Sequence, residues 1–216
     1  SLGTSTSTEM IAESWDCGIG SYQVGNFPSG WAGWNGRYRD TMRNFIDNGT
    51  CNSGISYATG IYGDTASGFS TSCPSINFIV AHDGFTLADL CSYSGKGNAL
   101  NSTLTWPFGP SDGGNSDTNN LTSISGTDTA DRRQRIRNFF TIQMFSAGIP
   151  MIVYGDEFGR TQNGNNNPYN IDSVATWNNY AMINSAAPQS VATGGSGTYS
   201  NMLGTFGSTD GKNGNF

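Results

Sequence analysis

The chain has 216 residues and a net charge of −6, from 10 Lys and Arg against 16 Asp and Glu. This acidic balance argues against nucleic acid as a partner, because phosphate binding requires a basic surface. No apolar run approaches the roughly 18 residues of a membrane span, so no membrane partner is expected. Charged residues are only 12% of the chain, about half of the usual quarter, which indicates a loop-rich domain with a neutral surface.

The first predicted element is a short strand at residues 8–13, where an apolar run ends at Glu13. A loop rich in glycine and aromatic residues follows, from Trp15 to Gly33. Its aromatic rings are suited to stacking on sugars, and equally to forming a small satellite core. Both interpretations stay open from the sequence.

A helix is predicted at residues 34–47, because apolar side chains recur at the spacing of one helical face. Gly49 stands where a C-terminal cap is expected. Residues 49–75 are polar and interrupted by glycines, with one short helix or strand near 55–61.

The second strand is predicted at residues 76–81, an apolar and β-branched run that ends in His82 and Asp83. Such a strand is buried on both faces and reaches the surface at its carboxyl end. His82 is the only histidine of the chain. Thr86 is suited to capping a short helix that extends to Tyr93.

Residues 94–127 form a long polar stretch, and loops of this length are usually functional or disordered. A helix follows, with a cap at Asp128 or Thr129 and a stop at Gly148. Its predicted apolar stripe consists of Ile136, Phe139, Phe140, Met144 and Ala147. Four arginines alternate with these positions, and we interpret them as a solvated helix face. They are Arg132, Arg133, Arg135 and Arg137.

The third strand is predicted at residues 150–154 and is followed by Asp156 and Glu157. Strands that alternate with helices are typical of an α/β fold with a parallel sheet. Three strands and a doubtful fourth form either half of an eight-stranded barrel or the whole of a thin sheet.

The four cysteines, Cys17, Cys51, Cys73 and Cys91, show no CxxC spacing, which argues against a zinc site. They form either two disulfides, as in a secreted protein, or buried free thiols. Few lysines and three glycosylation sequons favour a secreted or periplasmic location, and a cytoplasmic one stays open.

The sequence contains no glycine-rich phosphate loop, no nucleophile elbow and no metal-ligand cluster. What remains is carboxylates at strand ends beside aromatic residues. Glycoside hydrolysis uses these groups, because one carboxylic acid protonates the leaving oxygen while another carboxylate acts at the oxocarbenium-like carbon. Glu13 is the candidate acid, since an apolar wall near Trp15 would raise its pKa. The alternative for Glu13 is an ordinary strand-end carboxylate.

The other candidate residues also have structural alternatives. His82 and Asp83 are either site residues or a hydrogen-bonding pair with a structural role. Asp156 and Glu157 are either site residues or the negative charges at the start of a following helix or loop.

Several segments together resemble one known family. Ala12-Glu13-Ser14-Trp15 is similar to the α-amylase superfamily segment that carries the acid/base. Residues 76–84 are similar to the segment that ends in the transition-state-stabilising aspartate. A narrower resemblance, to isoamylase and the related glycogen debranching enzymes, rests on residues 22–31, 34–40, 106–114, 155–157 and 165–170.

The resemblance implies a role for each site residue. Glu13 would be the proton donor and later the base, and Asp83 would hold the substrate ring and stabilise its transition state. His82 would bond a hydroxyl of the same sugar. The other residues expected to bind substrate are Trp15, Asp156, Arg160 and Asn166.

The resemblance also implies parts that these residues do not contain. The family's enzymes are retaining, and they place a nucleophilic aspartate one strand before the acid/base, in a segment of the Gly-Phe-Arg-Phe-Asp type. No such segment precedes Glu13. We therefore expect an incomplete TIM (β/α)8 barrel, with residues 1–180 as the C-terminal half of a catalytic domain. Residues 181–216 would be a loop-rich tail leading towards a missing C-terminal β domain.

The implied activity is hydrolysis of α-1,6 branch linkages in glycogen or amylopectin, with the 216 residues alone inactive and poorly folded. The partner would be a branched α-glucan, and the enzyme a monomer. No cofactor or metal ligand is expected in these residues, and calcium is possible in the full-length enzyme. The alternatives are another α-amylase superfamily activity, namely α-1,4 hydrolysis or transglycosylation, or a non-catalytic glucan-binding relative.

Overall fold

The computed structural model divides the chain into two compact units. The first unit comprises residues 1–79 and 138–151, and the second unit comprises residues 80–137 and 152–216. The residues that the structure describes are 9–16, 18–50, 55–71, 73–92, 129–162, 166–168, 178, 191–192 and 198–199.

The first unit contains a four-stranded parallel sheet whose strands lie side by side in chain order. The pairing is continuous, since Ala12 faces Gly33 and Gly33 in turn faces Ser75. This arrangement confirms the prediction of an α/β fold with a parallel sheet. The strands are β1 (Met10–Ala12), β2 (Trp31–Trp34), β3 (Ser75–Asn77) and β4 (Ile149–Pro150).

Strand β2 lies where the sequence predicted the end of a loop and the start of a helix, so that prediction was wrong. The strand is four residues long and contains Gly33, and it therefore lacks the apolar run that identifies its neighbours. Pairing with β1 on one side and β3 on the other stabilises it. A side chain at Gly33 would crowd the ring of Phe69, since an added Cβ would lie 3.2 Å from it.

The three predicted strands are present as β1, β3 and β4, and each is shorter than expected. After β3 the chain leaves the sheet, yet Phe78, Ile79 and Val80 stay buried. The apolar run therefore predicted burial correctly and overestimated the length of the strand.

Helix α1 (Gly36–Asn48) accounts for most of the predicted helix. It begins after Asn35, whose side chain accepts the backbone N–H of Tyr38 at 2.9 Å. It ends at Gly49, which has φ 72 and acts as the C-terminal cap as predicted. Two side chains on its inner face, those of Tyr38 and Met42, are fully buried.

Helix α2 (Tyr57–Tyr62) settles the ambiguity near residues 55–61 in favour of a helix. The side chain of Ser56 caps it by accepting the N–H of Thr59. A short 3₁₀ helix at Thr65–Ser67 follows.

In the second unit, helix α3 (Leu87–Leu90) starts at Thr86, whose side chain accepts the N–H of Asp89 at 3.2 Å as a cap. The predicted end at Tyr93 lies outside the described residues. This unit also contains a 3₁₀ helix (Asp156–Phe158) and the antiparallel pair β5 (Val191–Ala192) and β6 (Thr198–Tyr199).

Helix α4 (Thr129–Phe145) confirms the last predicted helix. Ile136 and Phe139 are buried as predicted. Met144, however, is 51% exposed and Ala147 is exposed as well, so the predicted apolar stripe was wrong towards its end.

The buried face of α4 continues instead through Gln143 and, one residue beyond the helix, Ser146. The Gln143 amide donates to the carbonyl oxygens of Asn77 at 2.9 Å and of Met151 at 2.6 Å. The Ser146 hydroxyl lies 2.9 Å from the hydroxyl of Tyr38. Because their polar groups are satisfied, these side chains occupy core positions that hydrophobic periodicity does not reveal.

Cys73 is a buried free thiol, and burial raises its pKa. This agrees with the second of the two cysteine interpretations for that residue. Cys91 is also buried, whereas Cys17 and Cys51 lie outside the described residues.

Several predictions lie on residues that the structure does not describe. They include the long polar stretch at 94–127 and nearly all of the tail at 181–216, and the domain boundary at residue 180 stays a prediction. Within the described ranges, no helix combines the length and the apolar character that crossing a membrane requires.

Candidate functional site

Three residues follow directly on parallel strands of the first unit and mark one edge of its sheet, which we call the carboxyl edge. Glu13 follows β1, Asn35 follows β2 and Phe78 follows β3. Parallel sheets carry their chemistry at this edge, because all strands end there and the following loops converge. Glu13 is exposed to solvent, whereas the sequence suggested an apolar wall beside it.

An aromatic cluster surrounds Trp15, two residues beyond Glu13. The Trp15 ring stacks on Tyr22 at 5.9 Å and on Phe78 at 6.2 Å, measured between ring centroids, and meets Trp34 edge-on at 6.0 Å. Trp34 and Phe78 also contact each other at 5.3 Å. The cluster therefore joins the ends of β1, β2 and β3.

Trp15 also packs against a small apolar core formed by Val24, Phe69 and Cys73. The satellite core that the sequence offered as one interpretation is thus present. Trp15 remains half-buried and Tyr22 is 46% exposed, so part of the cluster faces solvent. Sugar stacking by Trp15 stays a prediction.

Two arginines of α1 lie over the aromatic cluster. The guanidinium carbon of Arg39 is 5.9 Å from the ring centroid of Trp15 and 5.7 Å from that of Phe78. Arg37 lies 6.0 Å from the ring of Tyr22. These are cation–π distances. Burial raises the pKa of Tyr22, with Asp40 adding to the rise and both arginines opposing it, so this hydroxyl stays protonated at neutral pH.

A buried hydrogen-bond network connects Asn35, at the carboxyl edge, with side chains of β3. The Asn35 amide donates to Ser75 Oγ at 3.1 Å and to Asp64 Oδ2 at 3.3 Å. Ser75 in turn donates to Asn77 Oδ1 at 2.7 Å. The sequence did not suggest this network, although an asparagine between a strand and a helix is a signal for a cap.

His82 and Asp83 lie in an exposed turn of the second unit. The next residue, Gly84, has φ 101 and donates its N–H to the carbonyl oxygen of Asn166 at 2.8 Å. A positive φ suits glycine because it has no Cβ. The turn is thereby attached on its C-terminal side.

Asp156 is buried and uses both of its carboxylate oxygens. Oδ1 accepts the backbone N–H of Leu87 at 3.0 Å and Oδ2 accepts that of Val153 at 3.3 Å. Burial raises its pKa to about 7, against the two hydrogen bonds and Arg160, which lower it, while Glu157 raises it further. Asp156 and Glu157 begin a 3₁₀ helix, as in the structural alternative for this pair.

Asp89 is a second buried carboxylate whose two oxygens both accept hydrogen bonds. It was not identified from the sequence. Its Oδ2 accepts the N–H of Gln162 at 2.7 Å, and its Oδ1 accepts the hydroxyl of Thr161. The available signal was an acidic residue inside the otherwise apolar run of α3. Such a residue is almost never fully buried without partners.

The predicted substrate-binding residues Asp156, Arg160 and Asn166 are all buried within the second unit, at 3%, 8% and 0% exposure. The structure thus gives Asp156 a role in holding the unit together. Direct contact of these three side chains with a sugar stays a prediction.

Three of the candidate residues carry donor types that bind divalent cations, namely Glu13, His82 and Asp83, and all three are exposed. Exposed acidic side chains are common in proteins without an ion. Donor type alone therefore assigns no metal, and the expectation that these residues hold none stays a prediction.

Comparison with known proteins bears on the family of the chain. Over 177 residues the chain is 46% identical to an isoamylase from Flavobacterium sp, which is 78% of this chain and 22% of that protein. Over 188 residues it is 42% identical to a glycogen operon protein GlgX homologue from Mycobacterium tuberculosis. The match covers 83% of this chain and 25% of that protein. The sequence is homologous to isoamylases and GlgX proteins. The resemblance drawn from its motifs is thereby confirmed.

The homology extends to plants, since the chain is 41% identical over 175 residues to the chloroplastic isoamylase SU1 of Zea mays. The match covers 74% of this chain and 21% of that protein. The chain spans about a fifth to a quarter of the curated relatives it matches. Among solved structures it is similar to a pullulanase from Bacillus acidopullulyticus, with a TM-score of 0.45 and 22% identity over 75% of this chain and 18% of that one. No protein-family profile matches the sequence.

Proposed function

We propose that this sequence is part of a glycoside hydrolase that cleaves α-1,6 branch linkages of glycogen or amylopectin with retention of configuration. The homology to isoamylases and GlgX proteins carries the proposal. The four parallel strands of the first unit support our assignment of the chain to one half of an eight-stranded barrel. The nucleophilic aspartate then belongs to the preceding half.

Glu13 is the proposed proton donor. It follows a parallel strand at the carboxyl edge and is exposed, so its carboxyl group is accessible to a glycosidic oxygen. In a retaining enzyme this group first protonates the leaving oxygen and later removes a proton from the attacking water. Its partner, the nucleophile, would lie about 5 Å away.

Asp83 is the proposed stabiliser of the oxocarbenium-like transition state, and His82 binds a hydroxyl of the same sugar. The chain reaches this turn from Phe78, whose ring stacks on Trp15 two residues beyond Glu13. This contact supports the proposal, because Phe78, the first residue after β3, lies beside the segment that follows Glu13.

The substrate proposed for the intact enzyme is a branched α-glucan, with Trp15 as one stacking surface. The half-buried indole and the partly exposed Tyr22 support this assignment, since sugars bind to aromatic faces. We further propose a secreted or periplasmic location, which the low lysine content and the sequons support, and a monomeric enzyme.

Product analysis tests the linkage specificity. The full-length protein, expressed from the complete reading frame, is incubated separately with amylopectin, pullulan and linear amylose. The proposal predicts linear chains released from amylopectin and no shortening of amylose. Short products from amylose would indicate α-1,4 hydrolysis, and unchanged amylopectin with retained glucan binding would indicate a non-catalytic relative.

A further inference from the structure

We propose that Asp89 and Asp156 are positioning residues, which fix the turn carrying His82 and Asp83 onto the segment that follows β4. The inference rests on the proposed function, in which Asp83 acts on the substrate ring. All of these residues belong to the second unit.

Three attachments follow Asp83 within six residues of sequence. At Gly84 the backbone N–H donates to the carbonyl oxygen of Asn166 at 2.8 Å. At Leu87 the backbone N–H donates to Asp156 at 3.0 Å. The third attachment runs from the Asp89 carboxylate to Thr161 and Gln162. The stretch from the turn into α3 is therefore held at three points.

Each of the two carboxylates binds a partner that is about 70 residues away from it in sequence. Asp156 binds two backbone N–H groups, those of Leu87 and Val153, with one oxygen each. Asp89 likewise uses one oxygen for Thr161 and the other for Gln162.

Burial makes these attachments specific. Asp89 is 0% exposed and Asp156 is 3% exposed. When a buried carboxylate loses a hydrogen-bond partner, the folded state loses stability. Neither carboxylate can therefore trade its backbone partner for water. A shift of the segment after β4 would move α3 with it.

The turn itself is exposed, so the place of the Asp83 carboxylate depends on where the chain beyond it is anchored. A displacement of about 1 Å in a catalytic group can cost about a hundredfold in rate. The two buried carboxylates thus influence turnover through the position of Asp83.

The test uses Asp89→Asn in the full-length enzyme. This change keeps the size of the side chain and turns one acceptor into a donor that faces the N–H of Gln162 or the hydroxyl of Thr161. We expect kcat on amylopectin to fall at least tenfold with KM changed less than twofold. Binding of a cationic sugar-ring mimic of the oxocarbenium ion should weaken by the same factor as kcat.

Thr161→Val is the second variant, for the case that Asp89→Asn does not fold. It removes only the hydroxyl that donates to Asp89, and a fall of kcat of about threefold at constant KM is expected. Unchanged kcat in folded Thr161→Val and, where it folds, in Asp89→Asn would overturn the inference.

Tyr38→Phe is the stability control, because it removes the buried hydrogen bond to Ser146 in the first unit. It should lower the melting temperature and leave kcat per folded molecule unchanged. If the Asp89→Asn loss only matches its loss of folded protein, Asp89 is structural and the inference fails. Asp83→Asn, measured in parallel, separates the two proposals, since full turnover in that variant would overturn the proposed function itself.

Discussion

The backbone N–H of Leu87 donates to the Asp156 carboxylate at 3.0 Å, across 69 residues of sequence. This bond joins the start of α3 to the 3₁₀ helix after β4. The carboxylate is 3% exposed, and its burial raises the pKa to about 7 although two backbone hydrogen bonds and Arg160 oppose the rise. Asp156 therefore changes its charge close to neutral pH.

The first prediction concerns the pH dependence of stability. Because the folded protein holds the Asp156 proton more tightly than the unfolded chain, the stabilisation by this group is complete below pH 4 and is lost as the pH rises to 7. At about 1.4 kcal/mol per pH unit, the interval from 3.8 to about 7 amounts to about 4 kcal/mol.

Asp156→Asn removes this proton linkage. The substitution should therefore cost most at pH 4, and its cost should fall by up to about 4 kcal/mol by pH 8. Urea unfolding of both proteins across that range measures the difference. A cost that is independent of pH would contradict the account of Asp156.

The second prediction concerns Gly25, which has φ +82 and lies against the backbone of Ser67. An added Cβ would come within 1.4 Å of the Ser67 carbonyl oxygen, and no side-chain movement relieves that contact. Gly25→Ala should lower the free energy of unfolding by about 4 kcal/mol or prevent folding of the first unit.

Gly20 is the matched control, since it has φ +73 and nothing within 4 Å of its Cβ position. Gly20→Ala carries only the backbone strain of a left-handed residue, about 1 kcal/mol. Thermal unfolding of the two variants separates steric overlap from strain. Equal losses would show that the close approach at Gly25 is relaxed without cost.

The third prediction concerns Trp15, which contacts Tyr22, Trp34 and Phe78 as well as the small core behind it. Trp15→Ala should destabilise the protein by about 2 kcal/mol, below the full cost of a buried tryptophan because the ring is half-buried. The control is Trp31→Ala, since Trp31 is also half-buried and its ring meets Phe27 at 5.4 Å.

Calorimetry on both tryptophan variants should show the larger loss for Trp15→Ala. A smaller loss at Trp15 than at Trp31 would contradict the role of the cluster in joining three strand ends. Trp15→Phe tests sugar stacking separately, because it keeps an aromatic ring in the cluster and should raise KM for amylopectin if the indole face binds glucan.

Local chemistry made the strands β1, β3 and β4 and the helix α1 predictable. Each of those strands begins an apolar run, and α1 has a cap at both ends, including Gly49 with φ 72. Strand β2 was missed because its four residues include a glycine, so that only its neighbours in the sheet reveal it.

The candidate site was likewise predicted only in part. Glu13, His82 and Asp83 were predicted from strand-end motifs, whereas Asp89 was not. Its partners lie 72 and 73 residues away in sequence, and no local pattern encodes that contact. The polar inner face of α4 was not predicted for a similar reason, since Gln143 is buried against a partner on β3.

Glu13 is proposed as the proton donor of a branch-cleaving hydrolase. The decisive experiment measures kcat on amylopectin for the full-length Glu13→Gln enzyme, with Glu9→Gln as the matched control four residues earlier. Glu9 is exposed like Glu13 and precedes β1 rather than following it.

Glu13→Gln should lower kcat by about a hundredfold to ten-thousandfold, with the melting temperature and glucan binding preserved. Glu9→Gln should turn over at the wild-type rate. Wild-type turnover in folded Glu13→Gln would contradict the claim and remove Glu13 from the mechanism.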